Sequence, residues 1–347
     1  MAFNQIPPEL YLSYILPHVV RKPMKLLDWI DINKLNWREL SQNPNAIDLI
    51  TDQLIANQSN INEVINWDFL SKNPNAIDLL KANPDKINWR RLSENPNAID
   101  ILKENPDKIE WVDLSTNPNA IDLLKANPDK ISWLFIAKNP NAIDLITEQL
   151  KINPLEINKC HLSENTSAVN LLKANPDKID WSMLSTNESN EAIDFLEQNI
   201  SNIDWWRFSR NKNPRAIDLI KSAIIANPNL GAIELITWDW LVDHVPSVLH
   251  WMFLLHNPSA IDLIKSVVIS NSSKINNELS YFEWQLLSQN PSKEVIKLLE
   301  QNISKINDIH SGIDWRILSR NPYIFEIDFK KLEKVIFEFY KRFITKN

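Results

Sequence analysis

Glycine is almost missing from this chain, with 2 residues against 20 prolines in 347. Loops that cradle phosphate on backbone amides need glycine, and so do the tight turns of β-hairpins, so both are excluded. Cysteine is scarcer still. The single thiol, Cys160, can form no internal disulfide, which points to a reducing compartment. No run reaches the roughly 18 apolar residues needed to span a bilayer. The N-terminal stretch MAFNQIPPELYLSYILPHVV lacks the basic-then-apolar order of a secretory signal. Positive charge is also short: the net charge is -7 and the pI about 5.5. That disfavours general nucleic-acid binding, where phosphate neutralisation supplies most of the affinity. Asn-x-Ser triplets such as Asn57-Gln58-Ser59 and Asn199-Ile200-Ser201 follow from asparagine richness, and without secretion they are not expected to be glycosylated. With 44% hydrophobic and 23% charged residues, the chain reads as folded and soluble.

Asparagine-proline takes over the punctuation. Trp67, Trp89, Trp111 and Trp133 mark a 22-residue period, which Lys159 and Trp181 continue after one longer step. The consensus is Trp-x-x-Leu-Ser-x-Asn-Pro-Asn-Ala-Ile-Asp-Leu-Leu-Lys-x-Asn-Pro-Asp-Lys-Ile-x, and such self-similarity signals a repeat architecture. Each unit divides into two short helices, because a residue before proline leaves the α region while asparagine caps and proline opens a helix. One helix is expected over about Pro118 to Ala126, with Ala120, Ile121, Leu123 and Leu124 as its apolar stripe. The other starts near Trp111. Asn36, Asn66, Asn88, Ser132, Asp180, Asp204 and Asp314 precede their unit's first helix and are candidate caps. Some units are longer: Ala142 to Asn153 spans four residues more than Ala120 to Asn127. Four is close to one helical turn, so the insertion lengthens a helix and keeps its buried face. Strands are disfavoured by the missing two-residue alternation and the recurrent proline.

A single hairpin cannot bury its stripe, so neighbours must stack. The expected fold class is all-α: a right-handed or superhelical α-solenoid of short helical hairpins with a 22-residue basic repeat, 26 with one-turn insertions. It divides into an N-terminal helical cap over 1–35, eleven or twelve repeats over 36–322, and a C-terminal capping amphipathic helix over 323–347. That last helix carries Leu332, Val335, Ile336, Phe339, Tyr340, Phe343 and Ile344 at helical spacing beside Lys334, Lys341 and Arg342. It caps the array or presents a basic amphipathic face. The tryptophans are expected to be interior spacers.

The phrases NPNAIDLLKANPDKINW (73–89) and NPNAIDILKENPDKIEW (95–111) resemble tandem repeats found in many proteins of giant DNA viruses of the mimivirus type. The resemblance covers roughly 37 to 322 and implies viral origin and repeat architecture, with no catalytic residues to transfer. Location in the host cytoplasm or the virion follows from it. A second stretch, Ile6-Pro7-Pro8-Glu9-Leu10 with Leu12, Ile15 and Leu16, resembles the start of an F-box, continued loosely by Pro23, Leu26, Leu27 and Trp37-Arg38-Glu39-Leu40. That resemblance implies docking to a Skp1-type ubiquitin-ligase adaptor.

Candidate chemistry is thin. His244, His250 and His256, beside Asp243, are six apart, a spacing that puts no two on one helix face for a metal. Cys160 and His161 are adjacent on a helix and diverge, unlike a nucleophile–base pair. Asp78, Asp100, Asp122 and Asp144 recur with the repeat; identical surroundings cannot split their pKa values as paired catalytic carboxylates require. They read as a solvated ladder, attractive to a basic partner. Reading of single-stranded RNA needs varied polar residues and a basic groove, which an acidic, monotonous array lacks. The expectation is a non-enzymatic scaffold without cofactor or metal, binding protein partners. The candidate contact residues follow each tryptophan: Arg90, Arg91, Val112, Asp113, Leu134, Phe135, Ser182 and Met183. The irregular segment 227–256 is the other candidate.

Overall fold

The structure, a computed structural model, describes residues 22–56, 65–226, 257–262, 287–301, 313–332 and 334. They are mostly helical, in many short helices at regular spacing. One unit shows the pattern. A helix at Trp111–Leu114 is followed by a turn at Pro118-Asn119, a second helix at Ile121–Ala126 and a 3-10 turn at Pro128–Lys130. The second helix thus begins three residues later than its proline suggests. Asn117 is the cause: its Oδ1 accepts from the Asn119 amide at 2.9 Å, so the side chain bends the chain into a turn before the helix starts. The second asparagine acts at the other end, where Asn127 Nδ2 donates to Leu123 O at 2.9 Å and closes the helix. Proline then opens the 3-10 turn, where its missing N–H costs nothing.

The first helices are capped largely as their sequences indicate. Asn36, Asn66, Asn88, Asp180, Asp204 and Asp314 each accept from the backbone amide three residues on. Asn158 does the same ahead of Lys159, whereas Ser132 makes no such bond. The one-turn insertion also lies inside the helix: Ile143–Ile152 has 10 residues where Ile121–Ala126 has 6.

The core differs from expectation in its main occupant. In the described units the apolar residue three positions after the start of the first helix is wholly buried, as at Leu40, Leu70, Leu92, Leu114, Ile136, Leu162 and Phe208, and so is the alanine at or near the start of the second helix, as at Ala46, Ala76, Ala98 and Ala120. The tryptophans are only partly buried and pack against that core from its flank. Polar residues share that core. Ser115 and Asn117 and their counterparts are also buried, and they hydrogen-bond neighbouring units to one another.

Asn117 Nδ2 donates to Ser93 O at 3.0 Å and to Asn95 O at 2.8 Å of the preceding unit. Asn95 repeats this on Ser71 and Asn73, and Asn139 on Ser115 and Asn117. Asparagine is suited to this role: two donors reach two buried carbonyls while Oδ1 serves its own turn, so every polar atom is paired. Serine forms a parallel ladder. Ser93 Oγ donates to Trp89 O at 2.9 Å and accepts from the Glu110 amide of the next unit at 3.1 Å. A third runs through the second asparagine of Asn-Pro-Asn, as Asn119 Nδ2 donates to Pro96 O at 2.9 Å.

The asparagine ladder passes from Asn211 straight to Asn257, whose Nδ2 donates to Asn211 O at 2.7 Å and Ser209 O at 3.2 Å. The ladder continues through Asn290 and Asn321 and then returns to the beginning. Asn43 Nδ2 donates to Ser319 O at 3.1 Å and Asn321 O at 2.9 Å, and the Asn36 amide donates to Ser319 Oγ at 2.8 Å. Asn45 Nδ2 donates to Pro322 O at 3.0 Å. All three ladders have a bond across this seam, and the asparagine ladder is continuous through the described units, so the repeats form a ring.

The array ends, expected to be separate caps, meet at this seam. A strand β1 (Met24–Leu26) pairs antiparallel with β2 (Phe325–Ile327), Met24 opposite Ile327 and Leu26 opposite Phe325. Leu27 N donates to Ile324 O and Asp328 N to Pro23 O, each at 2.9 Å. Trp29 packs on Trp315 with centroids 6.5 Å apart, and Lys331 reaches Asp52 at 3.2 Å. The residues 6–16 of the F-box resemblance and 335–347 of the C-terminal stripe lie outside the described residues. Of the F-box continuation, Leu26 lies in β1 and Trp37–Leu40 is the ring's first helix.

Candidate functional site

In the described units the positions one and two after the first-helix tryptophan form a strip that crosses from unit to unit. Arg90 and Asp113 are brought together across a junction, with Nε to Oδ2 at 3.2 Å. Arg91 pairs with Glu94 at 3.0 Å, and Lys72 of the preceding unit also reaches Glu94. Burial pushes the Glu94 carboxyl up, but Lys72 and Arg91 outweigh it and hold it below the usual glutamate range. Lys138 and Glu164 pair at 3.0 Å at the same offset. Pairs this exposed add little stability, about 0–1 kcal/mol each.

In the next units charge gives way to apolar surface. Val112 and Leu134, at equivalent positions of adjacent units, are 48% and 46% exposed. Phe135 packs against the His161 ring with centroids 5.4 Å apart, and His161 Nδ1 lies 2.9 Å from Leu134 O. Ser182 Oγ donates to Asp204 Oδ2 of the following unit at 2.6 Å, and Met183 is half-buried beside it. Arg90 and Arg91 are exposed; Asp113, Phe135 and Ser182 are half-buried.

Cys160 Sγ donates to Asp180 Oδ2 at 3.2 Å. That hydrogen bond, with burial and the carboxylate charge, pushes the thiol up, so it is poorly disposed to form thiolate. Asp180 itself is raised by burial, but bonds from the Met183 amide and Cys160 outweigh this and lower it. Asp78, Asp100, Asp122 and Asp144 are all exposed. Among the described residues no group of three or more His, Cys, Asp and Glu side chains is placed to hold a metal. Asp243, His244, His250, His256 and the segment 227–256 lie outside the described residues.

Sequence reasoning missed the strip's most buried charge. Glu39 is 7% exposed, the only charged residue among the described ones in the buried class. Arg320 donates to it, and Arg316 stands 3.8 Å away. The Arg320 bond holds the carboxyl below the usual glutamate range against the opposing effect of burial. The signal was present: Arg316 follows Trp315 by one and Glu39 follows Trp37 by two, the offsets that join Arg90 to Asp113. Only the ring makes Trp37 the unit after Trp315.

Among the described residues one junction lacks its serine. Ala137 is wholly buried where the other described units carry serine, so the Asn158 amide has no hydroxyl to meet. Ala137→Ser is expected to supply both bonds of the serine ladder and to raise stability by about 1 kcal/mol, read from urea unfolding midpoints. No gain, or a loss, would mean that this junction is spaced differently from its neighbours.

No protein-family model, curated protein or solved structure matches the chain. No helix of the described residues is long and apolar enough to cross a membrane.

Proposed function

We propose that the chain is a non-enzymatic protein–protein interaction scaffold of viral origin, acting in the host cytoplasm or in the particle. One observation carries the reading. The ladder residues are nearly invariant from unit to unit while the adjoining strip changes from charged at Arg90 and Arg91 to apolar at Val112 and Leu134. A constant framework with a varied, partly apolar strip suits recognition of a protein surface, where a few exposed anchors carry most of the affinity. The test is affinity capture from infected host lysate with the full chain and with Val112→Glu/Leu134→Glu. The two substitutions are on exposed side chains and are expected to leave the helical circular dichroism unchanged while reducing capture of specific partners at least tenfold. Equal recovery with both proteins would remove the strip from consideration.

The resemblance of residues 6–16 to an F-box supports a second reading, a substrate receptor that docks to a Skp1-type adaptor. A chain lacking residues 1–21 separates the two, since selective loss of an adaptor points to the receptor. A longer deletion, to residue 36, would also remove β1 and the Asn36 bond and so confound closure with binding. Abundance in purified particles would instead favour a virion component.

A further inference from the structure

Beyond partner recognition, the seam has a property that no other junction shares. Every junction between units consecutive in sequence is spanned by the chain; the one between the Asn321 unit and the Asn43 unit is held by non-covalent bonds alone. Opening it would unfold no unit. It would expose two different edges: one with amide donors at Asn36, Asn43 and Asn45, the other with their acceptors at Ser319, Asn321 and Pro322. Such edges are complementary head to tail, the arrangement that closes into a ring or continues into a larger assembly.

We propose that the seam is an exchangeable interface whose alternative partner is a second copy of this chain. The donor edge of one copy meets the acceptor edge of the next, and β1 of one pairs with β2 of the other. The ladders alone cannot decide which edges meet, because the two edge units offer the same serine and asparagine groups as most others. The Glu39 carboxylate with Arg316 and Arg320 supplies the address. Among the described residues it is the one carboxylate of the strip buried at a junction: its side chain is 9% exposed, against 15% for Asp113 and 34% for Glu164 in their pairs. In a single chain the folded array holds the two edges in place, with an effective concentration above the roughly millimolar value of a short flexible linker. A dilute chain therefore closes on itself, and crowding of copies towards that concentration favours exchange.

Charge reversal tests this on full-length protein. Glu39→Arg alone, and Arg316→Glu/Arg320→Glu alone, each set like charges against one another at the seam. Refolded together from denaturant, the two proteins can satisfy both seams only by alternating. The expected result is a 1:1 assembly at an integral multiple of the 40.4 kDa chain mass, at least tenfold more abundant than in either variant alone. Combining all three substitutions in one chain restores the complementary pair and is expected to return the single-chain mass. A mixture that stays at single-chain mass overturns the proposal. So do variants that assemble alone as readily as together, because the charges then address nothing. Wild-type chain refolded over a concentration series up to about the millimolar range gives a check free of any substitution. A multimer fraction that rises with concentration supports exchange.

Discussion

Asn117→Ala is expected to destabilise the chain by about 3 kcal/mol or more, a large share of a typical folding free energy. The substitution removes three hydrogen bonds; it strips the Ser93 carbonyl and the Asn119 amide of the partner Asn117 supplies and leaves the Asn95 carbonyl with only its bond from the Ala98 amide. The side chain it replaces is wholly buried, so water cannot easily repair the loss. Each orphaned buried group costs about 1–3 kcal/mol, well beyond the gain from one ordinary hydrogen bond. Asn117→Asp should be no better, since its carboxylate would face two carbonyl oxygens. Asn119→Ala is the control: its bond to Pro96 O is exposed, and about 1 kcal/mol or less is expected. Urea unfolding of the three variants decides. Equal midpoints for Asn117→Ala and Asn119→Ala would remove the buried ladder from the account of stability.

Asn43→Ala deletes the same three bonds at the seam, and a different outcome is expected. At Asn117 the chain still joins the two units, so damage is confined to the junction. At Asn43 nothing covalent joins them, and the weakened contact can part. The ring should open into an arc whose units stay folded, because each unit keeps its other neighbour. Far-UV circular dichroism should therefore remain close to wild type. Hydrogen exchange should change sharply at the seam, since local opening is governed by local free energy. A loss of about 3 kcal/mol corresponds to roughly a hundredfold faster exchange. The amides of Leu27, Asn36 and Asp328, all bonded across the seam, are the reporters. Unchanged protection there, with loss elsewhere, would show that the seam is not the weak point of the ring.

The ladder also explains where the sequence was legible. Period, unit length and the one-turn insertion are local properties, readable because helix geometry fixes 3.6 residues per turn wherever the chain is helical. The caps at Asn66, Asp180 and Asp204 act on amides three residues away, so their partners lie in view of a short window. Asn117 looked like one more helix-starting asparagine. Its turn bond to Asn119 is local, but its two carbonyl partners belong to another unit, 24 and 22 residues earlier. Tryptophan misled for a related reason. Size suggested a core spacer, but leucine, alanine and the hydrogen-bonding serine and asparagine fill the buried positions, and the indole packs at the flank. At the candidate strip the residues themselves were visible, and their pairing across junctions was not.

The amino-acid sequence by itself determined a repeat of short helices, its caps, its period, and the positions that vary between units. Each of these rests on interactions within a few residues or on a pattern repeated often enough to be read directly. Tertiary structure alone decided that the array closes, that Asn43 meets Ser319 and Asn321, and that Glu39 is buried against Arg316 and Arg320. Closure depends on small rotations between neighbouring units summed over the whole array. No single unit encodes that sum, and the bond it produces joins residues 278 apart in the chain.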